Sequence, residues 1–151
     1  MLHLTCFKGC AGWPGMAPTV EEMYPDGFAT WVDVEGPALG FEGEHRLGHF
    51  RGVATVVLKL FSIVQPDVAF FGQKDAQQVA VVSRMTRDLN VDLEMRVVPT
   101  VRAGDGVALS SRNARLSPEE RARARAIPRA LDAALVAHRA GEDPAAAARG
   151  A

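Results

Sequence analysis

The sequence predicts an α/β fold built on a parallel sheet, and three consecutive segments support this prediction. Apolar residues recur at helical spacing over residues 48 to 65. A short apolar run, VAFFG at 68 to 72, has the pattern of a buried parallel strand. A second helical pattern at 75 to 89 leads into an alternating run at 93 to 98. A strand, a helix and a strand in this order form a βαβ unit, whose connection is almost always right-handed.

The composition is that of an ordinary globular protein. The 151 residues are 48% hydrophobic and 23% charged, with a formal net charge of −1. This charge gives no reason to expect nucleic acid or a membrane surface as a partner. No apolar run approaches the length of a membrane span, and the N-terminus does not have the pattern of a secretory signal. We therefore expect a cytoplasmic protein.

The first 16 residues show no periodicity and are treated as an unassigned leader. They contain the chain's two cysteines, Cys6 and Cys10, with His3 nearby. A zinc site needs three or four ligands, which this spacing does not complete. Unpaired thiols are the favoured interpretation, and no metal-ligating residues are predicted.

The elements that precede the sheet are predicted as one strand and one long helix. ATWVDVEG predicts a strand at 29 to 35, and glycines and a proline then mark loops up to residue 43. The helix ends before Pro66, because a proline excludes helical geometry at the residue before it. One face of this helix is apolar: Phe50, Val53, Val57, Leu60, Phe61 and Val64.

In the βαβ unit, the helix has an apolar inner face, and apolar and polar side chains alternate along the last strand. The helix positions are Val79, Val82, Met85 and Leu89, and the strand positions are Val91, Leu93, Met95 and Val97.

Helices are predicted for the C-terminal part. Ser117, Pro118 and Glu120 have the pattern of a capping box with proline at the first helical position. The following helix is expected to be interrupted at Pro128, and Asp143 with Pro144 opens another. A chain that stops just after a helix start suggests truncation.

Four polar side chains follow the first strand of the βαβ unit: Lys74, Asp75, Gln77 and Gln78. Ligands of parallel sheets bind outside the carboxyl ends of the strands. Gly72 allows close approach of a ligand, and the start of the next helix offers unpaired N–H groups and a positive dipole end. Lys74 adds a full charge there, and Asp75 could cap the helix, accept ribose hydroxyls or hold a metal ion. The alternative is a solvated helix start.

A second polar loop, residues 109 to 113, contains two serines and an arginine. Arginine binds phosphate through two parallel hydrogen bonds, and serine hydroxyls donate to the remaining oxygens. The alternative is a polar turn before a helix, but two such loops flanking one βαβ unit favour a nucleotide site.

These segments resemble the pantoate–β-alanine ligase (pantothenate synthetase) family. The motifs are APTVEEMYP, GHFRGVATVVLKLFSIVQPDVAFFGQKDAQQ, VPTVR, DGVALSSRN and LSPEER, in this order, over about residues 17 to 137. The resemblance implies a Rossmann-like nucleotidyltransferase fold of the HIGH-signature type, here incomplete, and a homodimer. The domains would be a partial catalytic domain at 17–106 and a truncated C-terminal α/β lid domain at 107–151.

The resemblance also implies the reaction, its substrates and the residues that serve it. The family joins pantoate and β-alanine in two steps, using ATP and Mg²⁺, through a pantoyl adenylate. Lys74 and Arg112 would be catalytic, and Gln78 would bind pantoate. ATP would contact Gly72, Gln73, Lys74, Asp75, Val101, Leu109, Ser110, Ser111 and Arg112. Arg46 and His49 are possible additional site residues.

The sequence departs from the family pattern in its N-terminal part. HRLGH at 45 to 49 is one residue too long to be the His-x-Gly-His signature, and no other segment contains that signature. Leu47 stands where the family usually has proline. We therefore expect this polypeptide alone to be inactive. The alternatives are a non-catalytic nucleotide-binding or dimerising fragment, or another adenylate-forming nucleotidyltransferase.

Overall fold

A computed structural model describes residues 18 to 151, which divide into two compact units. The first unit ends at Val98, and the second is Pro99–Ala151. The predicted leader, with Cys6 and Cys10, lies outside the described residues. None of the helices between residues 18 and 151 is long and apolar enough to cross a membrane.

Within residues 18 to 98, the first unit contains four helices and two strands. In chain order they are α1 Val20–Met23, α2 Phe41–His45, α3 His49–Val64, β1 Val68–Gly72, a 3₁₀ turn Gln73–Asp75, α4 Ala76–Asp88 and β2 Glu94–Val98. Strands β1 and β2 pair in parallel, with Phe70 opposite Arg96 in the register. The predicted βαβ unit and the α/β fold are therefore confirmed.

The core of this unit lies between α3, α4 and one face of the sheet. It is formed by Phe50, Val53, Ala54, Val57, Phe61, Ala69, Phe71, Val81, Val82 and Met85. The rings of Phe61 and Phe71 meet edge to face, with centroids 6.3 Å apart. Helix α3 ends as predicted, because Gln65 adopts a left-handed conformation (φ 48°) just before Pro66.

Two predictions in this unit are wrong. Residues 29 to 34 have no regular secondary structure and Glu35 begins a turn, so no strand forms in this part of the described chain. The backbone N–H of Val32 donates instead to Thr55 Oγ1 on α3, at 3.0 Å. Leu89 is half exposed because α4 ends at Asp88 and Leu89 is its C-cap, whereas Val81, not predicted for the inner face, is fully buried.

The second unit contains a short hairpin and three helices. The hairpin has an antiparallel bridge between Arg102 and Ala108. A 3₁₀ helix Ser111–Arg115 follows, and then α5 Pro118–Ala124, α6 Ala126–Ala140 and α7 Pro144–Gly150.

The helix caps of the second unit are as predicted, but the helix after Ser117 is not interrupted where the sequence predicts. Ser117 and Glu120 form the reciprocal capping box at α5, and the Asp143 side chain caps α7. The break between α5 and α6 lies at Arg125 rather than at Pro128. Pro128 sits in the first turn of α6, where its missing N–H would have had no helical partner.

Candidate functional site

The polar corner of the first unit lies where β1 turns into α4. Strand β1 ends at Gly72, the 3₁₀ turn Gln73–Asp75 follows, and α4 begins at Ala76. The carboxyl end of a parallel strand is therefore where this polar segment lies, as the sequence predicts. Its predicted site residues are Gly72, Gln73, Lys74, Asp75 and Gln78.

The folding of this unit does not require a glycine at position 72. Its backbone is extended, with φ −74° and ψ 128°, which any residue adopts. A Cβ added there would meet no described atom within 4 Å. The volume beside the Gly72 backbone is therefore open to a ligand.

Lys74 and Asp75 form an ion pair with each other. Lys74 Nζ lies 3.0 Å from Asp75 Oδ1, and both side chains are partly exposed. Asp75 is the N-cap of α4, but its side chain makes no capping hydrogen bond with described atoms. The first N–H groups of α4 are thus left without a side-chain cap.

Gln77 is the residue of this corner to which the sequence analysis assigned no role. Its Nε2 lies 3.1, 3.3 and 3.1 Å from the carbonyl oxygens of Pro37, Leu39 and Gly40, and its Oε1 accepts the Glu42 N–H at 3.0 Å. The only sequence signal for this role is a loop rich in Gly and Pro, whose carbonyls need donors from elsewhere.

Arg46 and His49 contact each other in the lining of a shallow, open groove of about 560 Å³. Arg46 Nη1 lies 3.0 Å from His49 Nε2 and also 3.0 Å from Glu42 Oε1. Tyr24, Leu47, Gly48, Gly52, Val53 and Val56 complete the lining. The groove combines an apolar wall with one cation and one imidazole.

In the second unit, the hairpin places two residues that are predicted to bind ATP side by side. The N–H of Leu109 donates to the carbonyl of Val101 at 2.8 Å, and both side chains are more than half exposed. Asp105 supports the turn, since its Oδ1 accepts the Val107 N–H at 3.2 Å and its Oδ2 accepts from Arg121 Nε at 2.7 Å. This hydrogen bond from Arg121 lowers the pKa of Asp105 below its ordinary value of 3.8.

The two serines and the arginine follow directly on this hairpin. Ser110 Oγ accepts the Arg112 N–H at 3.3 Å and so caps the 3₁₀ helix. Ser111 and Arg112 are exposed. The Arg112 guanidinium forms no hydrogen bond or ion pair with any residue from 18 to 151. Asn113, to which no role was assigned, anchors the loop through Nδ2 to the Ala108 carbonyl at 2.8 Å.

The residues that are predicted to bind ATP are divided between the two units. Gly72 to Asp75 belong to the first unit, and Val101 with Leu109 to Arg112 belongs to the second. The possible additional residues Arg46 and His49 are in the first unit, linked to the polar corner through Gln77 and Glu42.

Comparison with known proteins identifies one family. The family model described as pantoate-beta-alanine ligase matches residues 15–150. A pantothenate synthetase of Pelotomaculum thermopropionicum is 60% identical over 125 residues, which cover 83% of this chain and 44% of that protein. A Herpetosiphon aurantiacus pantothenate synthetase is 54% identical, and the match covers 87% of this chain and 48% of that protein. The chain spans about half the length of the curated relatives it matches.

Solved structures agree with this result. The pantothenate synthetase of Thermus thermophilus superposes with a TM-score of 0.81 and 54% identity, covering 88% of this chain and 50% of that one. The Francisella tularensis pantoate-beta-alanine ligase, solved with beta-gamma ATP and beta-alanine, gives a TM-score of 0.66 and 36% identity, covering 72% of this chain and 42% of that one.

Proposed function

Since this chain belongs to the pantoate-beta-alanine ligase family, we propose that it carries the adenylation residues of an ATP-dependent ligase that joins pantoate to β-alanine. The observation that supports this most is the polar corner after β1. There an open glycine, an exposed lysine and a helix start with no side-chain cap occur together. All three are features of a phosphate site.

The proposed reaction has two steps. The carboxylate of pantoate attacks the α-phosphorus of ATP, a P–O bond forms, and pyrophosphate leaves with the electrons of the broken bond. The amine of β-alanine then attacks the acyl carbon of pantoyl adenylate, loses a proton and displaces AMP. The products are pantothenate, AMP and pyrophosphate.

Lys74 and Arg112 are the proposed catalytic cations. Negative charge spreads over the equatorial oxygens of the phosphorus as the first step proceeds, and fixed positive groups stabilise it. In the structure Lys74 is paired with Asp75. Binding of ATP would therefore exchange the carboxylate partner of Lys74 for a phosphate partner.

The remaining predicted residues have positioning and recognition roles in this proposal. Gly72, Gln73 and Asp75 bind ATP in this proposal, and ATP-binding roles are also assigned to Val101, Leu109, Ser110 and Ser111. Gln78 binds pantoate. The apolar groove with Arg46 and His49 suits a small substrate that has methyl groups and one anionic group.

Mg²⁺ fits the residues that are present. Residues 18 to 151 contain no cluster of three or more His, Cys, Asp and Glu side chains that could hold a metal. Mg²⁺ needs no such cluster, because it is commonly bound by substrate phosphates, waters and one or two carboxylates. Asp75 is the carboxylate nearest to the proposed phosphate site in sequence, and the ion would neutralise phosphate charge there.

The proposal includes a cytoplasmic homodimer, as the family resemblance implies, and it assigns no role to nucleic acid or membranes. Sedimentation of the longer protein described next tests the dimer.

A chimera tests the proposed function. Residues 15 to 150 of this chain would replace the matched segment of the Thermus thermophilus enzyme, and pantothenate would be detected by mass spectrometry. We expect product only when ATP, pantoate and β-alanine are all present. A folded chimera that forms no product would refute the proposal, and the unmodified Thermus enzyme is the positive control.

A further inference from the structure

Gln77, in the first turn of α4, forms hydrogen bonds with a segment some 35 to 40 residues earlier in the chain. Its amide nitrogen has two hydrogens and lies within 3.3 Å of three carbonyl oxygens, those of Pro37, Leu39 and Gly40. Its amide oxygen accepts the N–H of Glu42. One half-buried side chain thus satisfies both donors and acceptors of the segment Pro37 to Glu42.

That segment is tightly folded. Gly40 and Phe41 both have positive φ, at 69° and 46°, and the value for Phe41 is unfavourable for a residue with a side chain. A Cβ on Gly43 would clash with the Ala38 carbonyl oxygen, so the chain folds back here closely enough to require glycine. Contacts from outside must therefore hold this conformation, and the Gln77 amide supplies four of them.

The contacts continue from Gln77 to the groove. Glu42, whose N–H is held by Gln77, accepts a hydrogen bond from Arg46 Nη1 through Oε1 at 3.0 Å. The same Arg46 nitrogen lies 3.0 Å from His49 Nε2. Gln77 directly follows Ala76, the first residue of α4, and precedes Gln78. A continuous set of contacts therefore joins the corner of Lys74 and Gln78 to the groove of Arg46 and His49.

We propose that Gln77 is a positioning residue: it holds Glu42, and through it Arg46, in place relative to the start of α4, so that Arg46 meets an anionic group of a substrate bound at that corner. Gln77 itself touches no substrate. Its effect on the reaction rests on the proposed function above, whereas its effect on the Pro37 to Arg46 segment does not.

Hydrogen exchange on the 151-residue chain tests the positioning directly. Gln77→Met keeps the length of the side chain but removes its donors and acceptor. We expect the backbone amides of residues 39 to 46 to exchange roughly tenfold faster or more, because several hydrogen bonds are lost. The amides of Val81 to Met85, in the core of α4, should be unchanged.

Gln78→Met is the matched control, since the same change is made one residue later, at a side chain that bonds to no part of the Pro37 to Arg46 segment. Unchanged exchange at 39 to 46 in Gln77→Met, or an equal increase in Gln78→Met, would overturn the proposal. If the backbone amides of the Gln77→Met variant exchange faster along the whole chain, a second variant, Gln77→Glu, distinguishes loss of positioning from general destabilisation. It keeps an acceptor for Glu42 but no donor, so it should loosen residues 39 to 46 alone, and failure to do so overturns the proposal.

A double-mutant cycle in the chimera tests whether Gln77 acts through Arg46. We expect Gln77→Met to raise the KM of one anionic substrate about tenfold with kcat changed less, because Arg46 contributes to binding. In an Arg46→Met background the same change should have no further effect. Equal effects in both backgrounds would contradict action through Arg46. A chimera without any ligase activity would count against the proposed function, and the exchange result would still decide the positioning.

Discussion

At the scale of single residues, the polar corner after β1 separates into three roles. Gln77 forms hydrogen bonds with the distant segment Pro37 to Glu42, and Lys74 and Asp75 form an ion pair with each other. The Gln78 side chain makes no hydrogen bond to the Pro37 to Arg46 segment. The sequence shows four similar polar residues here, and only the contacts separate them. Adjacent glutamines cannot be told apart by composition, because what distinguishes them is which one faces the carbonyls of a distant loop.

Lys74→Met in the chimera should slow formation of the adenylate roughly 10²- to 10³-fold, because loss of a cation that stabilises the transition state costs about 2 to 4 kcal/mol in a site of this kind. Pyrophosphate release measures the step. Arg87→Met, an exposed cation near the other end of α4, is the matched control and should leave the rate unchanged. A rate close to that of the unsubstituted chimera would mean that Lys74 is only a solvated residue at a helix start.

Among the helices and strands, α3 anchors the irregular segment 29 to 34 through Thr55. Thr55 is 3% exposed, and its hydroxyl donates to the Arg51 carbonyl at 2.7 Å and accepts the Val32 N–H at 3.0 Å. Thr86 is also buried and also donates to a carbonyl one turn back, that of Val82, at 2.8 Å. Of these two threonines, Thr55 alone holds the backbone of another segment.

Thr55→Val should therefore lower the free energy of unfolding by about 1 to 3 kcal/mol more than Thr86→Val does, because only the first change leaves a partly buried N–H without its partner. Urea unfolding of the purified chain measures the difference. Equal losses in the two variants would show that the Val32 hydrogen bond does not anchor residues 29 to 34.

The hairpin of the second unit should be sensitive to acid. Hydrogen bonding to Arg121 lowers the pKa of Asp105 in the folded chain below 3.8. A carboxylate with a lowered folded pKa contributes stability that is present above its unfolded pKa and lost as pH falls through the folded pKa. Asp105→Asn should thus lower the unfolding temperature at neutral pH, with the difference from the unsubstituted chain shrinking below pH 3.8. If the difference in unfolding temperature stays constant as the pH falls well below 3.8, the Asp105 carboxylate is not the source of this stability.

The elements with a strong local pattern were predictable from the sequence, and those that depend on distant partners were not. The helical period of α3, the apolar run of β1 and the Ser117 capping box each carry their own signal. The alternation at 29 to 35 is a strand pattern as well, but a strand also needs a neighbour to pair with, and Val32 bonds to a helix instead. For the candidate site, the residue types were predictable, whereas the contacts of Gln77 and Asn113 were not.

At the scale of the whole molecule, apolar surface on the sheet of the first unit is exposed. Phe70 is 54% exposed, Val97 50% and Val98 41%, although parallel sheets are usually covered on both faces. In the described chain the sheet has only two strands, so each has an unpaired outer edge. Exposed edges and apolar patches of this kind promote association.

We expect the purified 151-residue polypeptide to self-associate, because its sheet leaves apolar side chains and strand edges uncovered. Sedimentation velocity at several concentrations measures this. Phe70→Thr keeps a strand-forming residue but removes the exposed ring, so it should reduce the association. A stable monomer at every concentration for the unsubstituted polypeptide would contradict the expectation.

Adenylation by residues of this chain can be measured in the first half-reaction alone. Pyrophosphate release would be measured with ATP and pantoate but without β-alanine, in the isolated chain and in the chimera. We expect no measurable release by the isolated chain, whose sequence has no His-x-Gly-His signature. We expect pantoate-dependent release by the chimera that falls about 10²-fold in Arg112→Met but not in Arg115→Met. Release that is unaffected by Arg112→Met, or a folded chimera that releases no pyrophosphate, would contradict this expectation.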